Sequence, residues 1–92
     1  MRLMSDHGAG TPMWGSEGAV SPSMLGVSGD LAARLYAWQG YFEQHFHYES
    51  GWQSPGDAGV YAREGEELCR LLTAEIGGSY HVELDLWPVT EG

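Results

Sequence analysis

Leu31, Leu35, Trp38 and Phe42 recur at spacings of four, three and four residues, which is one apolar stripe on one face of an α-helix. Ser28 stands ahead of the stripe as an N-cap and Asp30 favours the positive end of the helix dipole, so the pattern predicts a helix over residues 28–46. Gly40 falls inside this run, where it marks either a close backbone approach or a break. After a break at residues 49–53, Ser54-Pro55-Gly56-Asp57 reads as a cap, a proline at the first helical position and an early acid. From there Val60, Tyr61, Gly65, Leu68, Cys69, Leu72 and Ile76 share one side, with Arg63, Glu66, Glu67, Arg70 and Thr73 largely on the other. A second helix is therefore predicted over 54–76, closed by a left-handed cap at Gly77-Gly78.

Downstream the period changes to two. Tyr80, Val82, Leu84 and Leu86 alternate with His81, Glu83, Asp85 and Trp87, the pattern of a half-buried strand over 79–87 that Pro88 ends. Residues 1–6 form a shorter candidate strand with Leu3 and Ser5 on one face. Residues 7–27 carry five Gly and two Pro without a sustained period and read as a long loop anchored by Met13 and Trp14. The expected architecture is a single α+β domain with a two-layer β-α-α-β order, an antiparallel helix hairpin packed on a small antiparallel sheet. A third short strand is expected near Ala19-Val20. Open sheet edges make a homodimer through an edge a further expectation.

Charge narrows the partners more than the chemistry. Thirteen Asp and Glu face four basic residues, all Arg, for a net charge of -9 in 92 residues. Nucleic-acid binding draws on Lys and Arg to displace counterions, so a polyanion partner is excluded and a basic one is favoured. With 42% hydrophobic residues the chain can form a core, and its one cysteine, Cys69, allows no internal disulfide. No apolar stretch approaches the length of a membrane span and no signal-peptide run develops after Met1, so a cytoplasmic protein is expected.

Candidate reactive groups are sparse. Asp6 and His7 near the first strand, with His81, Glu83 and Asp85 on one face of the last, would supply nitrogen and oxygen ligands for zinc or manganese if they converged. Polar residues at alternate positions are also what a solvated strand face requires. His45-Phe46-His47-Tyr48-Glu49 aligns three polar side chains only if extended; at a helix end His45 and His47 diverge. Cys69 lies beside Leu68 and Leu72 as an inert packing thiol, and no nucleophile elbow or phosphate loop is present, so enzymatic activity is disfavoured and no cofactor is expected.

The acidic and aromatic surface is the better candidate. Glu43, Tyr48, Glu49, Trp52, Asp57, Glu64 and Glu67 come from the end of one helix, the connection and the next helix, a plan of aromatic anchors among acids that suits a protein interface. At Met13-Trp14-Gly15-Ser16-Glu17-Gly18, the Leu31 to Trp38 helix, Tyr61-Ala62-Arg63-Glu64-Gly65 and Val82-Glu83-Leu84, the chain resembles small acidic bacterial proteins of uncharacterised function, notably actinobacterial ones. That resemblance implies an aromatic-anchored loop, a glycine at a helix contact and a terminal strand, and no activity. The leading expectation is an acidic protein-interaction module, antitoxin-like or immunity-like, that inhibits a basic protein. The alternative is a small metal-binding protein or metal-dependent enzyme using Asp6, His7, His81, Glu83 and Asp85. An accessory subunit of a larger assembly stands behind both.

Overall fold

The computed structural model describes residues 1–90, the last by its backbone alone. Two long helices, α1 (Gly29–His45) and α2 (Asp57–Ile76), form one layer. Short strands β1 (Arg2–Leu3), β2 (Met13–Gly15), β3 (Gly18–Ala19) and β6 (Glu83–Leu84) form the other, in the order β3-β2-β1-β6. A separate hairpin, β4 (Phe46–His47) with β5 (Gly51–Trp52), joins the helices, and a closing turn of helix, α3, covers Trp87–Thr90. The fold is α+β, with a helix pair packed on a small sheet.

The apolar stripes explain the packing. Leu31, Leu35, Trp38 and Phe42 of α1 meet Tyr61, Leu68, Leu72 and Ile76 of α2, and Leu3 and Met13 close the core from the sheet. The helices run antiparallel, because contacts ascend one helix as they descend the other: Ser28 with Glu75, Arg34 with Glu64, Trp38 with Tyr61, Tyr41 with Asp57. Gly65 lies at the closest approach. A Cβ built there would stand 2.9 Å from Trp38 Cζ2 and 3.2 Å from Leu86 Cδ2, so any side chain would force these neighbours to shift. Gly40, in contrast, meets nothing, and α1 passes through it unbroken.

Several expectations need correction. The last strand pairs parallel to the first, not antiparallel: Arg2 lies opposite Glu83 and Leu3 opposite Leu84. The number of chain reversals does not set the direction of β6, because residues 77–82 separate it from α2, enough chain to cross a two-residue ladder before pairing in either direction. The antiparallel pairs are β1 with β2 and β2 with β3, both built from the segment read as a loop. The third strand near Ala19 exists, and Gly18, at φ 119°, makes the tight turn after Ser16-Glu17 that lets β3 fold back on β2. Met13 is wholly buried and Trp14 Nε1 donates to the Met4 carbonyl at 2.9 Å, so both anchors hold as expected.

The second helix begins at Asp57, later than residue 54. Asp57 folds back to accept from the Ser54 amide, forming a turn ahead of the helix, and Gly56 occupies the cap position without a side-chain bond. At its other end Gly77 has φ -62°, so the chain leaves α2 in right-handed geometry and no left-handed cap is used. Val60 turns out to be 43% exposed, on the rim and not the core side of α2. The alternation of the last strand stops at Asp85, whose side chain accepts from the Trp87 amide and turns the chain into α3. Trp87 consequently points inward, donating to the Ser5 carbonyl at 2.7 Å.

The start of α1 is tied to the end of α2. Ser28 donates both its amide and its hydroxyl to the Glu75 carboxylate at 2.8 and 2.7 Å, and its oxygen accepts from the Leu31 amide. The Ser28 amide first, then its hydroxyl, hold the Glu75 carboxyl below the usual carboxylate value of 4.5. A carboxylate favoured in the folded state adds stability above about pH 4.5 that is lost as pH falls through the lower folded value. Glu75→Gln is therefore expected to lower Tm at neutral pH, with the gap to the parent chain closing below pH 4.5. Thermal melts by circular dichroism from pH 3 to 7 check this.

Candidate functional site

The end of the helix pair is built from aromatic rings. Phe42 stands 5.3 Å from Phe46, 5.7 Å from Trp87 and 6.1 Å from Tyr61, measured between ring centroids. Trp52 packs on Phe46 at 5.0 Å and Tyr61 at 5.2 Å, and its Nε1 donates to the Pro88 carbonyl at 3.0 Å. This fixes the β4–β5 hairpin against the core, with left-handed Gly51 making its turn. Trp52 therefore supports the hairpin from beneath; the exposed aromatic residue is Tyr48 at the tip, 77% accessible.

The seven residues grouped as a partner surface separate into two patches around that support. Glu43, Tyr48 and Glu49 form the first, beside His7, whose ring meets Tyr48 edge-on at 6.0 Å. Glu43 accepts from the Gly8 amide, which draws the 7–10 loop against α1. Asp57, Glu64 and Glu67 form the second, spaced by seven and three residues along α2 on the side facing α1. Asp57 accepts from the Tyr41 hydroxyl at 3.1 Å, Glu64 takes two bonds from Arg34 at 2.8 and 3.1 Å, and Glu67 pairs with Arg70. The hydrogen bond from Arg70 first, with the charges of Arg70 and Arg34 adding to it, holds the Glu67 carboxyl below its ordinary value against an opposing desolvation.

Between these carboxylates runs a groove of about 200 Å³, lined by Ala37, Trp38 and Tyr41 of α1 and by Val60, Tyr61 and Glu64 of α2. Its surface is almost wholly apolar. The sequence pattern gives the signal for it only in part: it places Val60 on the buried stripe, whereas Ala37, Tyr41 and Val60 occupy the seam where two rounded helices diverge toward solvent.

The residues considered for metal binding are spread out. His81 lies 3.5 Å from Glu83 on the exposed edge strand, while Asp85 turns to the Trp87 amide with Arg2 at 3.9 Å. Asp6 accepts from the His7 amide, and the His7 ring lies 4.7 Å from that of Phe42, at the opposite end of the helix pair from the start of β6. His45 stacks on Tyr41 at 4.1 Å and contacts its carbonyl through Nδ1, while His47 and Glu49 continue into the hairpin. Among the described residues no three His, Cys, Asp or Glu side chains are grouped so as to hold a metal ion. Cys69 is half-buried and unpaired.

One buried feature was not visible in the sequence. The Ser5 and Tyr61 hydroxyls and the Gln39 side-chain oxygen are buried, and none makes a hydrogen bond of acceptable geometry. Burial pushes the Tyr61 hydroxyl well above the usual tyrosine value, and proximity to Ser5 offsets this only partly. A buried hydroxyl without a good partner costs about 1–3 kcal/mol. Tyr61→Phe is therefore expected to leave Tm unchanged or raise it; a clear fall would show that the hydroxyl is bonded in solution.

No helix among the described residues is long and apolar enough to cross a membrane. No individual curated protein matches the chain. The family of Serratia CdiI immunity protein-like proteins does match, over residues 1–85, which takes in both helices, both candidate patches and the strand that closes the sheet. The family is named for Serratia where the sequence resemblance pointed to actinobacterial proteins. With the match running through nearly the whole chain, this protein belongs to the Serratia CdiI immunity protein-like family.

Proposed function

We propose that this chain is a cytoplasmic immunity protein that neutralises a basic protein toxin by binding it. The observation that carries the reading is the family match over residues 1–85. The surface supports it. Arg2, Arg34 and Arg70 are each committed to a carboxylate, so the exterior keeps its negative field, and Glu17, Asp30, Glu49 and Glu66 are free of partners among the described residues. Such a field speeds encounter with a cationic surface and disfavours nucleic acid.

In this reading Glu43, Tyr48 and Glu49 at the hairpin, with Trp52 bracing it, and Asp57, Glu64 and Glu67 along α2 contribute the contacts. The exposed sheet edges, β3 and β6, are two residues long, too short a ladder to carry a homodimer on backbone bonds, so side-chain recognition of a different protein is favoured. The test is co-expression with candidate toxins, beginning with whatever protein the adjacent gene encodes. Growth is expected to recover, and the two proteins are expected to co-purify at low ionic strength. Continued toxicity with no complex would overturn the reading.

A further inference from the structure

We infer that the apolar groove between α1 and α2 is the seat for one apolar side chain of the toxin, presented on a segment with Lys or Arg on either side. The inference rests on the immunity reading and adds the place and chemistry of the contact. The groove offers apolar walls from Ala37, Trp38, Tyr41, Val60 and Tyr61, about 200 Å³ in volume. Glu64 is part of its lining, and Asp57 accepts from the hydroxyl of Tyr41, another lining residue; the two acids are seven residues apart on one helix and so about 10 Å from each other. The walls are stiff. Trp38 is stacked on Tyr61 at 4.5 Å and its Nε1 donates to the Tyr61 carbonyl at 2.9 Å, so the groove is formed before any partner arrives.

Charge decides the occupant. An apolar side chain flanked by cations would be desolvated against the walls while its neighbours meet Asp57 and Glu64, the arrangement of a buried anchor inside a polar rim. A second copy of this chain would bring a net charge of -9 against the same charge, and an anionic lipid surface would meet the same repulsion. Arg34 would remain with Glu64 or exchange it for the incoming cation, so the groove end can open without a backbone movement.

Two measurements test this. In the first, the ¹⁵N-labelled chain is titrated with an amphipathic Lys/Leu peptide and, separately, with oligolysine. Saturable amide shifts at Ala37, Tyr41, Val60 and Tyr61 with the Lys/Leu peptide, absent with oligolysine, are expected; shifts confined to the hairpin, or equal for both peptides, would overturn the inference. In the second, binding of the toxin identified by co-expression is measured for Ala37→Arg, Val60→Arg and Met24→Arg, all at exposed positions. The first two are expected to weaken binding by about tenfold or more and Met24→Arg to leave it unchanged. Equal affinity for all three would sink the groove while leaving the immunity reading in place. A parent chain that binds no toxin would sink both.

Discussion

Phe42→Ala is expected to cost about 3–5 kcal/mol, the largest single loss in the molecule. The ring is wholly buried and lies within 6.5 Å, centroid to centroid, of Phe46, Trp52, Tyr61, Trp87 and His7. It joins α1, α2, the hairpin, α3 and the 7–10 loop in one cluster. Truncation removes the transfer energy of the ring and leaves a cavity between rings that are themselves held by hydrogen bonds, Trp52 to Pro88 and Trp87 to Ser5, and cannot collapse inward. A chain of this size has about 5–14 kcal/mol of stability in total, so the variant would be close to unfolding near 37 °C. Urea denaturation followed by tryptophan fluorescence reads the loss directly.

Gly65→Val is the second, with an expected loss of about 3 kcal/mol, and Gly65→Ala should lose about 1–2 kcal/mol. Helix propensity alone predicts the opposite sign, since Ala gains about 1 kcal/mol over Gly in a helix interior. Packing wins because the new Cβ meets Trp38 at 2.9 and 3.3 Å and Leu86 at 3.2 Å. Trp38 has no room to withdraw: it is 2% exposed, stacked on Tyr61 and bonded to its carbonyl. Each kcal/mol lost lowers Tm by about 4–8 °C in a domain of this size, so thermal melts separate the two variants from each other and from the parent. Gly40→Ala provides the contrast. With open space at that position and helical backbone around it, the substitution should raise Tm.

These two sites also show why the helices were legible and the sheet was not. The stripes Leu31 to Phe42 and Tyr61 to Ile76 each repeat over three turns or more, and a repeat of that length admits one reading. Strands of two or three residues carry no period at all. β2 and β3 are set by the buried Met13, the Trp14 bond to Met4 and the turn at Gly18, contacts that tie together residues far apart or depend on a single φ angle. The direction of β6 was hidden for a related reason. It depends on where residues 77–82 deliver the chain, and the Met1 and Leu3 carbonyls that accept from Glu83 and Asp85 are some eighty residues away in sequence.

The candidate surface was legible in composition and only partly in geometry. Acidic residues between the helices were evident from spacing, yet their sorting into a hairpin patch and a groove depends on Trp52 turning inward and Val60 turning outward. Val60 lies on the shoulder of an amphipathic helix, where a rotation of a few tens of degrees decides exposure, and Trp52 lies in a two-residue strand that carries no period. The metal alternative drew on residues that alternate along a strand, and alternation says nothing of whether the partner strand brings its own ligands to the same face.

Recognition of a cationic toxin by this acidic surface is the central proposal. Stopped-flow association of the chain with a basic toxin that it neutralises on co-expression, measured across ionic strength, tests that most directly. Association should be fast at low salt and slow steeply as salt rises, with dissociation changing far less. An association rate indifferent to salt, or no association at any ionic strength, would contradict it.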